Sequence, residues 1–164
     1  MHFCKLLDRC QHRKPSSVLE GCYGAPMSSD PSFMKLLVVR ATPAARDIQC
    51  FELAHPDGEE LPPFTAGAHI RVKTPNGVTR QYSLCNDPDQ RDRYVIAVKC
   101  ERDGRGGSMS LVDTVQAGQT LEAGIPENLF ELDPKARSFV LVAGGIGITP
   151  MLAMARHLSA QGDR

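Results

Sequence analysis

His69-Ile70-Arg71-Val72-Lys73-Thr74-Pro75-Asn76-Gly77-Val78-Thr79-Arg80-Gln81-Tyr82-Ser83-Leu84 holds two short strand-like runs on either side of an Asn-Gly pair. Asn and Gly both tolerate the positive φ of a tight turn, so the stretch predicts a β-hairpin. In its second arm a period of two sends Arg80, Tyr82 and Leu84 to one side and Gln81 and Ser83 to the other.

Further strands lie on both flanks. KLLVVRAT from Lys35 and IQCFELAH from Ile48 are separated by the turn-prone PAARD and predict an antiparallel pair. RYVIAVKCE from Arg93 alternates, with Val95 and Ala97 facing one way and Ile96 and Val98 the other. GRGGSMSLVDTV from Gly104 shifts to helical spacing, with Leu111, Val112 and Val115 on one face, and QTLEAG from Gln119 returns to a strand. FVLVAGG from Phe139 is a continuous apolar run, as expected of a strand buried on both faces of a parallel sheet. GIGITPMLAMARHLSA follows as a glycine turn and helix, with Pro150 where a first helical turn tolerates it.

These patterns predict a mainly β fold: residues 34–134 as an antiparallel β unit with one helix, and 138–164 as the first strand and helix of an incomplete α/β domain. Residues 1–33 carry scattered charges and no period, and are expected to be a flexible extension. The 164 residues are 41% apolar and 23% charged, with 19 basic and 19 acidic side chains. That balance gives no electrostatic reason to expect nucleic acid, and no run of about 18 apolar residues is present to span a membrane. Cys4, Cys10, Cys22, Cys50, Cys85 and Cys100 form no compact secreted framework, so a reducing, cytoplasmic setting is the expectation. Cys4, Cys10 and His12 match no common zinc spacing, and no Cys-x4-Cys-x2-Cys run suits an iron–sulfur cluster, so no metal site is expected.

Three elements carry chemistry. Gly104-Arg105-Gly106-Gly107-Ser108 precedes a helix, whose first N–H groups and dipole favour an anion, and glycine lets a phosphate approach the backbone. The same glycines equally suit an ordinary turn. Arg80, Tyr82 and Ser83 combine a charge, a ring and a hydroxyl that suit a phosphorylated aromatic cofactor, although a solvated strand face would read alike. Ala143-Gly144-Gly145-Ile146-Gly147-Ile148-Thr149-Pro150 places glycines at a strand end, where open α/β sheets bind ligands. Its spacing is not the dinucleotide fingerprint, and a structural tight turn remains open.

In this order, Arg-x-Tyr-Ser-Leu, Gly-Arg-Gly-Gly-Ser and Ala-Gly-Gly-Ile-Gly-Ile-Thr-Pro-Met resemble the ferredoxin-reductase-type flavoproteins. The resemblance extends over about residues 34–161 and is strongest to the phthalate dioxygenase reductase and vanillate O-demethylase reductase branch. It implies a six-stranded antiparallel Greek-key barrel that binds flavin, followed by an α/β domain that receives NADH. Carried over by motif, Arg80 and Ser83 would contact the flavin phosphate and ribityl region, with Tyr82 packed on the ring and Leu84 closing the motif. Ala97, Val98 and Lys99 would line the cofactor, and Gly106, Gly107 and Ser108 would cradle its phosphate. Thr149 would sit near the isoalloxazine, and Gly144, Gly145 and Gly147 would leave space for nicotinamide. No side chain is expected to be catalytic, since the flavin carries the redox chemistry.

FMN is expected in preference to FAD, because one phosphate needs one helix start and one Arg, and no segment is assigned to adenine. The implied partner is a terminal oxygenase or an iron–sulfur electron acceptor, with this chain a truncated form of an electron-transfer reductase. A flavin-binding module without NADH turnover is the alternative. Glu127 precedes Asn128 where the family often carries a basic residue, a departure that bears on the connector and not on the flavin site.

Overall fold

The structure is a computed structural model and describes residues 32–162. The expected extension therefore lies outside the described residues except for Ser32 and Phe33, and Phe33 already belongs to the first strand. Six strands form one sheet: β1 (Phe33–Ala45), β2 (Ile48–Ala54), β3 (His69–Lys73), β4 (Thr79–Ser83), β5 (Tyr94–Lys99) and β6 (Thr120–Gly124). Helix α1 (Gly107–Thr114) joins β5 to β6, and helix α2 (Ile148–Ala160) follows a short 3-10 turn at Gly145–Gly147. No helix among the described residues is long and apolar enough to cross a membrane.

The Asn-Gly hairpin forms as expected. Gly77 takes a φ of +82°, and β3 pairs with β4 from His69 opposite Ser83 to Lys73 opposite Thr79. Thr74 Oγ1 accompanies the turn, donating within reach of both Asn76 Oδ1 and the Val78 carbonyl at 2.6 Å. The first hairpin turns later than PAARD suggested. β1 runs through Pro43 to Ala45, with register shifts near Val39 and Ala44, and the chain reverses at Arg46 and Asp47, the latter with a φ of +57°. A proline is tolerated there because β6 pairs only with Phe33–Leu37, which leaves one side of β1 without a strand partner beyond that point.

All pairings are antiparallel, in the order β4-β3-β6-β1-β2-β5. The sheet curls until its two ends meet, but the barrel is not closed by a ladder. Between β4 and β5 there is an isolated bridge, Leu84 to Ile96, with the Cys85 N–H donating to the Val95 carbonyl at 2.8 Å. Inside the curl, Leu36, Phe51, Leu53, Ile70, Leu84, Ile96, Val98 and Leu111 pack into the main core. A second cluster lies on the outer face of β2 and β5, where Cys50, Val95 and Ala97 meet Cys85 and Leu152 of α2. The alternation expected for β5 is thus real, and both of its faces are buried.

The expected strand at Phe139 does not form. Residues 139–143 carry no strand, and Val140 and Val142 are 89% and 78% exposed. A parallel strand exists only through hydrogen bonds to a neighbour, and among the described residues none runs beside this segment. The glycine turn and helix after it form as expected.

One charged group is enclosed on the outer face. Glu52 is 1% exposed and receives Arg40 and Arg93, each at 2.9 Å, and Asp92 also accepts from Arg93 at 2.6 Å. The hydrogen bond to Asp92 holds the Arg93 guanidinium above its usual pKa despite partial burial. Removing the shared carboxylate would take from Arg40 and Arg93 the one acceptor they share beside a dry patch, with Arg93 keeping only the more exposed Asp92. Glu52→Ala is expected to lower unfolding stability by about 3 kcal/mol, read as a drop in the urea midpoint with an unchanged slope; a midpoint within error of the parent chain would refute the role.

Candidate active site

The open seam between β4 and β5 is the mouth of a cleft of about 570 Å³. One wall is the edge of β4, where Arg80, Gln81, Tyr82 and Ser83 all contribute. The opposite wall is the end of β5 with Ala97, Lys99 and Glu101. The start of α1 closes one end through Gly104, Arg105, Gly107 and Ser108, and Ile146, Gly147, Thr149 and Pro150 close the other. The volume is in the range of small-molecule and cofactor sites, roughly 300–1,000 Å³.

Most residues singled out from sequence meet here: Arg80, Tyr82, Ser83, Ala97, Lys99, Gly107, Ser108, Gly147 and Thr149 all line the cleft. Others do not. Leu84 and Val98 are wholly buried in the main core, the first because it makes the bridge that joins the sheet ends. Gly106 caps α1 with a φ of +78° and lies against the Asn76 side chain, behind the cleft wall. Gly144 and Gly145 are exposed and outside the cleft. Gln81, Glu101, Ile146 and Pro150 line it without having been singled out. Gln81 shares its side of β4 with Ser83, and the cleft runs along the edge of the strand, where both faces are reachable.

The local chemistry favours an anion at one end. No side chain caps α1 among the described residues and no acidic residue lies in its first turn, so its leading amides lack a built-in counter-charge. The Arg80 stem crosses directly over Gly107, where an added Cβ would lie 3.2 Å from Arg80 Cγ and 3.3 Å from its Nε. Glycine is what lets the guanidinium and the helix start share one small space. Ser108 Oγ accepts from the Glu101 N–H at 3.1 Å, which leaves its hydroxyl hydrogen to donate elsewhere. Lys99 pairs with Glu101 at 2.6 Å, and that carboxylate holds the ammonium above its usual pKa.

Towards the other end the walls become less polar. Tyr82 rests partly buried against the main core, and its Oη is buried without a hydrogen-bond partner among the described residues. Tyr94 shows the usual solution, its buried phenol donating to the Pro62 carbonyl at 2.5 Å. A buried hydroxyl left unpartnered in a cleft wall is costly unless a ligand or water supplies the partner. Burial pushes the Tyr82 phenol up to about 12, with Arg80 opposing the shift. Thr149 is almost fully buried and donates to the Ile146 carbonyl at 3.0 Å, which ties the glycine turn to the first turn of α2.

The oxidoreductase FAD-binding domain family matches residues 35–131. The phthalate 4,5-dioxygenase oxygenase reductase subunit of Pseudomonas putida is 57% identical over 134 residues, covering 82% of this chain and 41% of that protein. The vanillate O-demethylase oxidoreductase of Pseudomonas putida is 50% identical over 127 residues, covering 77% of this chain and 40% of that protein. The solved structure of phthalate dioxygenase reductase, described as modular for electron transfer from pyridine nucleotides to a 2Fe-2S centre, superposes with a TM-score of 0.79. It is 55% identical, over 80% of this chain and 41% of that one. The chain therefore spans about two fifths of the length of these relatives.

The raised phenol has a measurable consequence. Between the usual tyrosine pKa of 10.0 and about 12 the unfolded chain loses the Tyr82 proton while the folded chain keeps it. The unfolded state then binds fewer protons, so stability is full below pH 10 and falls as pH rises through that window. Tyr82→Phe is expected to flatten this slope in denaturant midpoints taken at stepped alkaline pH, and an identical slope in both proteins would contradict the buried, unpartnered phenol.

Proposed function

The chain belongs to the oxidoreductase FAD-binding domain family, and from that premise we propose that the β4–β5 cleft binds a flavin mononucleotide in an electron-transfer reductase. The observation that carries this is the pairing, in one cleft, of an uncapped helix start beside Arg80 with the buried, unpartnered Tyr82 hydroxyl. A single phosphate with a flat, polar-edged ring matches both ends. FMN is preferred to FAD because the anion end offers one helix start, with Arg80 and Arg105, and among the described residues lining the cleft there is no second helix start beside it.

The residues divide the work. Arg80, Gly107 and Ser108 hold the phosphate, the glycine by allowing backbone approach and the other two by donating. Tyr82 offers its ring face for packing and its hydroxyl for a polar atom of the flavin or ribityl chain. Ser83 and Thr149 bracket the ring from β4 and α2, and Ile146 and Pro150 shield it from water. Bound flavin supplies the chemistry of accepting a hydride from NADH and passing electrons on singly. The chain's own contribution is to bind, orient and shield it, and the proposed acceptor is a terminal oxygenase or an iron–sulfur protein.

A second reading, flavin binding without NADH turnover, is favoured by one observation. Of the three glycines expected to leave space for nicotinamide, only Gly147 lines the cleft, while Gly144 and Gly145 stand exposed outside it and residues 139–143 form no strand. NADH-dependent dye reduction by the flavin-loaded chain separates the two: turnover favours the reductase, and bound flavin without turnover favours the module.

Titration with FMN and with riboflavin tests the binding mode. Arg80→Ala is expected to weaken FMN roughly tenfold or more, the loss of a charge-assisted hydrogen bond, while riboflavin changes little. Ser108→Ala acts in the same direction but less strongly, because the backbone amides remain. Equal weakening of both flavins by Arg80→Ala would refute the phosphate assignment.

A further inference from the structure

Resting on the flavin reading above, we propose that Arg156 is a positioning residue that locks helix α2, and with it Thr149 and Pro150, at the height over the cleft that the flavin ring requires. Arg156 does not line the cleft. Its guanidinium Nη1 donates to the Cys85 carbonyl, across 71 residues of sequence. Cys85 lies two residues beyond Ser83, at the point where the chain leaves the cleft wall and bonds to Val95 of β5.

The spacing on α2 makes this bond a lever. Thr149, Leu152, Ala153 and Arg156 follow i, i+3, i+4 and i+7, one face of a helix. Seven residues return to within about 20° of the same direction, roughly 10 Å along the axis. Leu152 and Ala153 are buried, and Leu152 packs in the outer cluster with Cys85, Val95 and Ala97. One face of α2 therefore carries a cleft residue at one end, an apolar seat in the middle and an ionic hydrogen bond at the other end.

The contacts form a closed circuit. Ser83 and Cys85 belong to one continuous segment, Arg156 ties Cys85 to α2, and α2 returns to the cleft at Thr149 and Pro150. On the neighbouring face of α2, buried Met154 lies against Gly67, where an added Cβ would come within 2.9 Å of its Cε. That apolar neighbour supplies no hydrogen bond to hold the helix down. The Arg156 bond opposes lifting, since separating the helix from the barrel would leave a charged donor and a carbonyl at a partly buried site without each other.

The test compares wild type, Arg156→Ala and Arg156→Lys as full chains, by two readouts. The first needs no flavin: iodoacetamide labelling resolved by mass spectrometry. Cys85 is buried under α2, whereas Cys100 is buried outside that cluster and reports general unfolding. Arg156→Ala is expected to raise labelling of Cys85 several-fold with Cys100 unchanged, and Arg156→Lys, which keeps a donor, to restore much of the protection. The second is affinity: Arg156→Ala weakens FMN and riboflavin alike, each about tenfold, because the ring side is disturbed and the phosphate end is not.

Unchanged labelling of Cys85, a parallel rise at Cys100, unchanged flavin affinity, or a loss confined to FMN would each overturn the proposal. If the wild-type chain takes up neither flavin, the flavin reading fails; the labelling result then still decides whether Arg156 holds the helix.

Discussion

A curled antiparallel sheet has two edge strands, and each presents backbone donors and acceptors that must be paired, covered or wetted. Here β4 and β5 approach closely enough for the bridge between Leu84 and Ile96 and the bond from Cys85 to Val95, and then diverge. Beyond those two contacts no ladder joins β4 to β5, and the cleft lies between them. A fully closed barrel would have buried Arg80, Tyr82, Ala97 and Lys99 against one another or turned them outward to solvent. The unclosed seam makes them the two walls of a site.

What covers the seam is as informative as what opens it. α1 arrives from the end of β5 and leaves its uncapped start against Arg80, while α2 arrives from the far end of the chain and lays Leu152 on the outer face of β5. The requirement that β5 bury both faces thus recruits α2, and α2 brings Thr149 and Pro150 to the cleft. Packing of the sheet and assembly of the site are one event on this side of the molecule. At the other end of the cleft the start of α1 can lie against Arg80 because residue 107 is glycine, since any side chain there would press on Arg80.

Much of this was legible beforehand because it is local. Asn76-Gly77 announces its hairpin through backbone conformation, and the alternation from Tyr94 to Lys99 predicts which residues share a face, though not that both faces are buried. The Arg80, Tyr82 and Ser83 grouping, with Gly107, Ser108 and Thr149, was visible from side-chain chemistry and a family resemblance. Other features were illegible for physical reasons. Val140 and Val142 look like a buried strand, but hydrophobicity records only a preference for burial and not whether a neighbouring strand is present to satisfy it. Leu84 and Val98 follow their strand alternation into the core, and only the place where the sheet ends join decides that they leave the cleft. Ile146, Pro150 and Arg156 acquire roles through the docking of α2, a tertiary fact with no local signature.

On the proposed reading a flavin occupies the seam between β4 and β5, phosphate towards α1 and ring towards α2. Amide chemical-shift mapping during an FMN titration tests it most directly. Saturable shifts confined to residues 80–84, 97–101, 104–108 and 146–150, with the Glu52 face silent, are the predicted result. Shifts that do not saturate, or that cluster around the groove between Asp133 and His157 on the far side of α2, would contradict it.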